Sequence, residues 1–219
     1  MALTKFNYNS FDLTTAASKG LAFNSSANGF ETSSDGSMTL IKTLTASSSA
    51  TLSFVDGTSD VVLDNTYPIY VFKFINIHPA TNNTHLMVNF RDGGSSYDAT
   101  KTTTVFYSYH DESDSEAAVS YSTGSDLAQS TSAQRLTGGG GSDADESASG
   151  TLHLFNPSST TFVKHFIGSS STYNHSNYNN GWYSTGYCNV TAAIDGVQFS
   201  MSSGNIDAGT IKLYGIKDS

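Results

Sequence analysis

Residues 171–187, STYNHSNYNNGWYSTGY, combine aromatic rings with short amide and hydroxyl side chains and carry almost no charge. Ring faces stack on the apolar faces of sugars, and rigid rings among adaptable polar groups also serve protein contacts. We therefore predict a recognition loop. The alternative is that two or three rings only cap the end of the domain. The candidate residues for binding a glycan or a partner are Tyr173, Asn174, Tyr178, Asn180, Trp182, Tyr183 and Tyr187.

Acidic side chains form two clusters that could supply a glycosidase with its carboxyl groups. Such an enzyme needs two of them about 5 to 10 Å apart. Serine and glycine flank both clusters, and neither has the pattern of a buried acid at a strand end, so we predict solvated loops and no enzyme. The clusters are Asp111, Glu112, Asp114 and Glu116, and Asp143, Asp145 and Glu146.

Metal ligands are sparse in the sequence, and we predict neither a metal nor a cofactor. His153 and His165 flank a turn at Pro157 and could meet across a hairpin, although ordinary cross-strand packing is the simpler interpretation. Residues 202–210 resemble a calcium loop only superficially, because the carboxylates and the terminal glutamate of that class are missing. The chain has no nucleophile elbow, phosphate-binding loop or paired cysteine and histidine.

Composition and charge exclude several kinds of partner. The net charge of -9 repels a phosphate backbone, so nucleic acid is excluded. Nothing approaches the roughly 20 apolar residues of a membrane span, and the N-terminus lacks the pattern of a secretion signal. Cys188 is the single cysteine, so an intrachain disulfide is impossible, and we predict that the thiol is buried.

Short apolar and β-branched runs bounded by Gly, Asp, Asn and Ser predict an all-β chain. Residues 69–77 are apolar in both alternating rows, which predicts a central strand covered on both faces. The alternation of apolar and polar residues in 209–217 predicts a strand with one solvent-exposed face. Asp56-Gly57 predicts a hairpin turn before a strand at 60–64, and Pro157 predicts a second hairpin turn.

About eleven strands without a repeat favour an antiparallel β-sandwich of the jelly-roll kind, with two small barrels as the alternative. We predict one domain, 36–219, after an irregular N-terminal arm, 1–35. A long polar insertion, 111–149, interrupts the domain and should be functional or mobile. Within it we predict mobility at Gly138–Gly141 and a marginal short helix at 127–136.

Four stretches together resemble virion structural proteins of tailed bacteriophages of marine bacteria, including phages of cyanobacteria. Many members are labelled tail-fibre or structural proteins. The match spans roughly 50–219, and its most specific part is SGNIDAGTIKLYGIK at the end. The stretches are YVFKFINIHPATNN, KTTTVFYSYHDESDSE, GTLHLFNPSSTTFVKHF and GYCNVTAAIDGVQFSMSSGNIDAGTIKLYGIK.

This resemblance implies a virion protein that is assembled in the host cytoplasm, contacts other virion proteins and forms a homo-oligomer, with a trimer favoured. It supplies no catalytic residues. We expect a tail-fibre or appendage component that displays a glycan-binding surface to the host receptor. The alternatives are a capsid decoration or connector protein with protein contacts only, and a polysaccharide depolymerase.

Overall fold

The computed structural model describes residues 20–23, 26, 29–32 and 36–217. No helix occurs among those residues, so the all-β prediction is confirmed. The strands are β1 (Leu21–Phe23), β2 (Phe30–Thr32), β3 (Met38–Thr45), β4 (Thr51–Val55), β5 (Ile69–Pro79), β6 (Leu86–Arg91), β7 (Lys101–Asp111), β8 (Ala117–Tyr121), β9 (Gln134–Arg135), β10 (Ala148–Phe155), β11 (Lys164–Asn174), β12 (Tyr178–Cys188), β13 (Gly196–Met201) and β14 (Ile206–Ile216).

The chain divides into two compact units, residues 1–39 and 40–219. In the first unit, β1 and β2 pair antiparallel, and the rings of Phe23 and Phe30 stack with centroids 4.9 Å apart. This hairpin falls within the predicted N-terminal arm. Residues 1–19, 24, 25, 27, 28 and 33–35 of that arm lie outside the described residues.

The second unit is an antiparallel β-sandwich of two unequal sheets. The larger sheet has eight strands in the order β3-β14-β5-β10-β11-β12-β7-β8, and the smaller has four in the order β4-β13-β6-β9. The sandwich prediction is confirmed, and the jelly-roll topology stays a prediction. Aromatic residues join the two sheets: Phe54 lies 5.3 Å from Phe72, and Phe90 lies 5.0 Å from Phe166, between ring centroids.

Strand β5 is central, as predicted, but only one of its faces is fully covered. Tyr70, Phe72 and Phe74 are buried in the core, whereas Ile75 on the other face remains 40% exposed. A bulge at Asn76, which has φ 49°, then returns Ile77 to the core. The prediction of cover on both sides was wrong because the small sheet covers only the inner face. We call the opposite face of the large sheet the outer face.

Several local predictions need correction. Gly57 makes the expected turn with φ 71°, but 60–64 is not a strand, because the Asp56 carboxylate accepts the Leu63 N–H at 2.8 Å and holds the chain in a loop. Residues 127–136 contain no helix. The turn after Pro157 does join antiparallel strands β10 and β11, and 209–217 shows the predicted alternation of burial.

A polar segment, residues 122–147, contains β9, the edge strand of the small sheet, and continues the cover of the large sheet beyond it. We call it the covering segment. Its Gln134 accepts the Thr103 hydroxyl of β7 at 2.6 Å, and the carbonyl of its Leu136 accepts the Ser170 hydroxyl of β11 at 2.7 Å. The inner face of β7, β11 and β12 is therefore polar, because it meets hydrogen-bonding backbone instead of an apolar sheet.

The glycines Gly138–Gly141 are buried in this segment, contrary to the predicted mobility. Gly140 exchanges backbone hydrogen bonds with Thr84 at the start of β6, with N···O distances of 2.8 and 3.3 Å. A Cβ on Gly138 would overlap the Asn180 side chain, and one on Gly141 would overlap the Glu146 carboxylate. Glycine is needed here for close packing.

Two lysines are buried on the inner face beside Cys188. Lys101 and Lys164 are each 0% exposed and are the cross-strand partners of Cys188 on β7 and β11. Each ammonium donates to one carbonyl at 3.0 Å, Lys101 to Ala99 and Lys164 to Val190. Burial lowers the pKa of Lys101 to about 8, lowers that of Lys164, and raises the pKa of the Cys188 thiol to about 12.

These shifts predict that the free energy of unfolding rises by about 1 kcal/mol from pH 7 to pH 9. Above about pH 8, Lys101 loses its proton in the folded chain but keeps it in the unfolded chain. The unfolded chain then binds more protons than the folded chain, so the free energy of unfolding increases with pH. Above about pH 9 the Cys188 thiol ionises in the unfolded chain alone, which opposes the rise. Urea denaturation across this range measures the effect.

Lys101→Met should reduce the increase in the free energy of unfolding between pH 7 and pH 9. Lys217→Met, at an exposed position, should leave this increase unchanged. An unaltered pH dependence in Lys101→Met would contradict the assignment to Lys101.

Candidate functional site

The aromatic segment 171–187 is a β-hairpin and not the predicted loop. Strands β11 and β12 pair over their full length, from Lys164 opposite Cys188 to Asn174 opposite Tyr178. Asn174 organises the turn: its side chain accepts the Ser176 N–H at 3.0 Å, and its carbonyl accepts the Asn177 N–H at 2.9 Å. Asn177 completes the reversal with φ 64°.

The hairpin sends alternate side chains to opposite faces, so the seven candidate residues do not form one site. Trp182 and Asn180 point inward and are 5% and 7% exposed. The Trp182 indole donates to the Arg135 carbonyl at 3.3 Å, and Asn180 lies against Gly138. Both predictions of surface binding were wrong, because these side chains contact the covering segment and are not available to a ligand.

Tyr183 and Tyr187 lie on the outer face. Tyr183 is 42% exposed and stacks on Phe106 of β7, with ring centroids 4.8 Å apart and planes at 12°. Tyr187 is half-buried, and its ring lies 6.0 Å from that of His165. These two rings are four residues apart on β12, so about 13 Å separates their positions.

Tyr173 and Tyr178 both line a groove of about 410 Å³ at the hairpin end of the large sheet, Tyr173 from an outer-face position of β11 and Tyr178 from an inward-facing position of β12. On the outer face, Asn179 of β12 is the cross-strand partner of both Tyr173 and His110. The Ser171 hydroxyl donates to the Asn179 side chain at 3.0 Å. The groove is lined by His110, Asp111, Glu112, Ser147, Ser149, Ser171, Thr172, Tyr173, Tyr178 and Asn179.

A row of rings links the groove to the buried tryptophan. Trp182 stacks on Tyr107 at 5.5 Å, Tyr107 lies 6.3 Å from Tyr109, and Tyr109 meets Tyr178 edge-on at 5.4 Å. All four occupy inward-facing positions of β7 and β12. Trp182 therefore fixes Tyr178 indirectly, through packing.

The carboxylates beside the groove have different environments. Asp111 is 8% exposed and accepts the Ser115 hydroxyl at 2.6 Å and the N–H groups of Ser115 and Glu116 at 2.9 and 2.8 Å. The Ser113 hydroxyl also donates to it. Hydrogen bonds from Ser113 and then Ser115 hold the pKa of Asp111 well below its usual range.

Glu112 and Glu116 are exposed and lie near the two groove tyrosines. Burial and the nearby Glu112 raise the pKa of Tyr173, and Glu116 and burial raise the pKa of Tyr178. The Tyr178 hydroxyl lies 3.5 Å from a Glu116 carboxylate oxygen. The groove is thus an acidic site in which phenols stay protonated and able to donate.

The prediction of two fully solvated acid clusters was wrong for two members. Asp111 and Glu146 are buried, because each carboxylate stabilises a turn with its own backbone. Glu146 accepts the Asp143 N–H at 2.7 Å, and the Glu146 N–H donates to the Asp143 carbonyl at 2.9 Å. The sequence patterns did not single out His110, Ser147 or Ser149, because no pattern shows which strands meet at the groove, whereas Ser171 and Asn179 lie within the segment 171–187 that the sequence analysis named.

The histidines do not form a close pair at the predicted hairpin. His153 is opposite Ile167, and His165 is opposite Tyr187. In the part of the chain that the structure describes, no group of three or more His, Cys, Asp and Glu side chains could hold a metal ion.

Residues 202–210, which superficially resemble a calcium loop in the sequence, make contacts within the protein. The Asn205 side chain donates to the Ser48 carbonyl at 2.9 Å, Gly204 makes the turn with φ 70°, and Gly209 lies within β14.

Comparison with known proteins identified no relative. No protein-family model matches the chain, and neither a curated protein nor a solved structure does. Among the described residues, none belongs to a helix long and apolar enough to cross a membrane.

The burial of Trp182 predicts that Trp182→Ala lowers the free energy of unfolding by about 3 to 4 kcal/mol, because it leaves a cavity against the covering segment. Tyr183→Ala, at the exposed neighbouring position, should change it by about 0.5 kcal/mol or less. Urea denaturation of both variants measures the difference. Equal losses in the two variants would contradict the assigned burial of Trp182.

Proposed function

We propose that the protein is a non-enzymatic structural component of a bacteriophage virion that binds a host-surface glycan in the hairpin-end groove. The virion assignment rests on the sequence resemblance given above. The observation that carries the glycan assignment is the meeting of Tyr173 and Tyr178 with the amide of Asn179 and several serine hydroxyls in one groove.

The composition of the groove suits a sugar. Two half-buried rings offer apolar surface, and the hydroxyls of Ser147, Ser149 and Ser171 offer hydrogen bonds that can both donate and accept. Since the groove lies at the end of a paired hairpin, its side chains are held by strands and need little ordering on binding. Preorganisation of this kind lowers the cost of association.

The charge of the groove restricts the kind of glycan. Glu112 lines it, Glu116 contacts the Tyr178 hydroxyl, and the whole chain carries a net charge of -9. Like charges disfavour a uronate, a sulfate or a phosphate at such a site. The proposed ligand is therefore a neutral or amine-bearing polysaccharide.

The state of Asp111 favours binding over polysaccharide cleavage. A general acid for glycoside hydrolysis needs a raised pKa, so that it is protonated when the bond breaks. The pKa of Asp111 is instead lowered by its serine hydrogen bonds. Asp111 is therefore unsuited to be the general acid, which favours a binding module over a depolymerase that would use this carboxyl group as its acid.

A second candidate function is that of a connector or decoration protein. It is favoured by the outer face, where large apolar side chains remain uncovered, including Phe106 at 46%, Ile167 at 48% and Tyr183 at 42% exposed. Exposed apolar patches of this kind mark protein contacts. The two functions are compatible, since the groove at the hairpin end and the apolar patch of Phe106, Ile167 and Tyr183 use different residues.

We predict that Tyr173→Ala weakens binding to a neutral surface polysaccharide about tenfold, equivalent to about 1.4 kcal/mol. Isothermal titration with polysaccharides purified from marine bacteria measures this. Tyr183→Ala, outside the groove, is the matched control and should bind as the parent chain does. Loss of binding in Tyr183→Ala with retention in Tyr173→Ala would move the site to the patch of Phe106 and Tyr183 and contradict the proposal.

We also predict that Glu112→Gln extends binding to acidic polysaccharides, because it removes one of the negative charges that line the groove and keeps the size of the side chain. The affinity for the neutral polysaccharide should change little. The same titrations with a uronate-containing polysaccharide measure the effect. If neither kind of polysaccharide binds the parent chain, the connector function is favoured instead.

A further inference from the structure

Strand β8, Ala117–Tyr121, is an edge strand of the large sheet, and no described strand pairs with the side of it that faces away from β7. Two backbone hydrogen bonds flank the pairing of β8 with β7. The Asp111 N–H donates to the Glu116 carbonyl at 3.0 Å, and the Ser122 N–H donates to the Val105 carbonyl at 2.9 Å. Even-numbered residues therefore bond to β7. The N–H and C=O groups of Ala117, Val119 and Tyr121 point away from the sheet.

The side chains of this strand leave those groups accessible. Val119 is 74% exposed and Tyr121 is 54% exposed, and Ala117 is exposed as well. Edge strands are normally protected by a charge, a proline, a bulge or a cover. The opposite edge of the same sheet, β3, carries Lys42 at its centre, whereas AAVSY of β8 carries none of these protective residues.

We propose that β8 pairs antiparallel with β8 of a second copy of this chain, which joins the two large sheets edge to edge. The register centred on Val119 uses all three outward residues on each copy. It places Val119 opposite Val119 and Ala117 opposite Tyr121, with about six backbone hydrogen bonds across the two-fold axis. The strand is uncharged, so this register buries no ion.

The outer face supports the same register. Tyr183, Phe106 and Tyr121 are successive cross-strand partners on β12, β7 and β8. In the pairing centred on Val119, this apolar row continues onto Ala117 of the second copy. Such cross-strand pairs of aromatic and small apolar residues stabilise a sheet.

Charge affects the strength of the association. Glu116 precedes β8, Asp126 accepts the Tyr121 hydroxyl at 2.7 Å, and each copy has a net charge of -9. The two copies repel one another at low ionic strength, and salt screens this repulsion. Association should therefore tighten as sodium chloride is added.

The pairing is self-complementary and closes at two copies. It does not by itself generate the three-fold assembly that the sequence resemblance implies. The inference is also independent of the proposed glycan site, which uses other residues of the sheet.

Sedimentation velocity of the full chain tests the proposal. We expect the parent chain to form dimers and Val119→Lys to be monomeric, because two lysines would then meet at the two-fold axis. Leu40→Lys on the other edge strand is the matched control and should remain dimeric. A monomeric parent chain, or an assembly of any size that Val119→Lys leaves intact, would overturn the proposal.

Disulfide trapping tests the register. Val119→Cys should form a dimer linked by a disulfide under mild oxidation, since directly opposite residues have Cα atoms about 5.5 Å apart. Tyr121→Cys should stay unlinked, because its two copies would be offset by about 13 Å. The native Cys188 is 0% exposed and does not compete. Linkage of Tyr121→Cys with none in Val119→Cys would overturn the pairing.

Discussion

The unequal width of the two sheets is the constraint on which the rest of this structure depends. Eight strands face four, so the small sheet can bury only part of the inner face of the large one. The remainder, under parts of β7, β11 and β12, is covered by the polar segment 122–147, whose β9 is the edge strand of the small sheet. Since that segment brings backbone carbonyls and amides inside, the strands above it present threonine, serine and asparagine inward. Glycines at 138–141 allow the segment to approach them closely.

This arrangement determines where recognition can occur. The covering segment leaves the outer face of the large sheet open, and it ends beside the hairpin turn, where Ser147 lines the groove. A row of packed rings extends from the buried Trp182 to the half-buried Tyr178 and supports the groove. A rigid rim with hydroxyls, rings and one exposed carboxylate is suited to binding a sugar. The edge strand β8 and the outer face provide a separate surface for contacts between chains.

Much of the fold was predictable from the sequence, and the site was predictable only in part. Strands such as 209–217 pack against an apolar core, so their alternation is visible in the residue types. The hairpin at 171–187 was misread as a loop because its inner row, which includes Asn180, Trp182 and Ser184, packs against a polar segment and shows no apolar period. For the same reason Trp182 was assigned to the surface. Tyr173 and Tyr178, two of the named candidates, line the groove, but their neighbours His110 and Ser149 depend on strand register, which the sequence does not reveal.

The central claim is that the hairpin-end groove binds a neutral polysaccharide. The most direct measurement is an amide chemical-shift titration of the isotope-labelled full chain with a neutral surface polysaccharide from marine bacteria. If the polysaccharide binds in the groove, we expect saturable amide chemical-shift changes that centre on Tyr173, Tyr178 and Asn179 and extend to Glu112 and Ser149. Saturable shifts confined to Phe106, Tyr183 and Tyr187 on the outer face, or the absence of shifts with every polysaccharide tried, would contradict it.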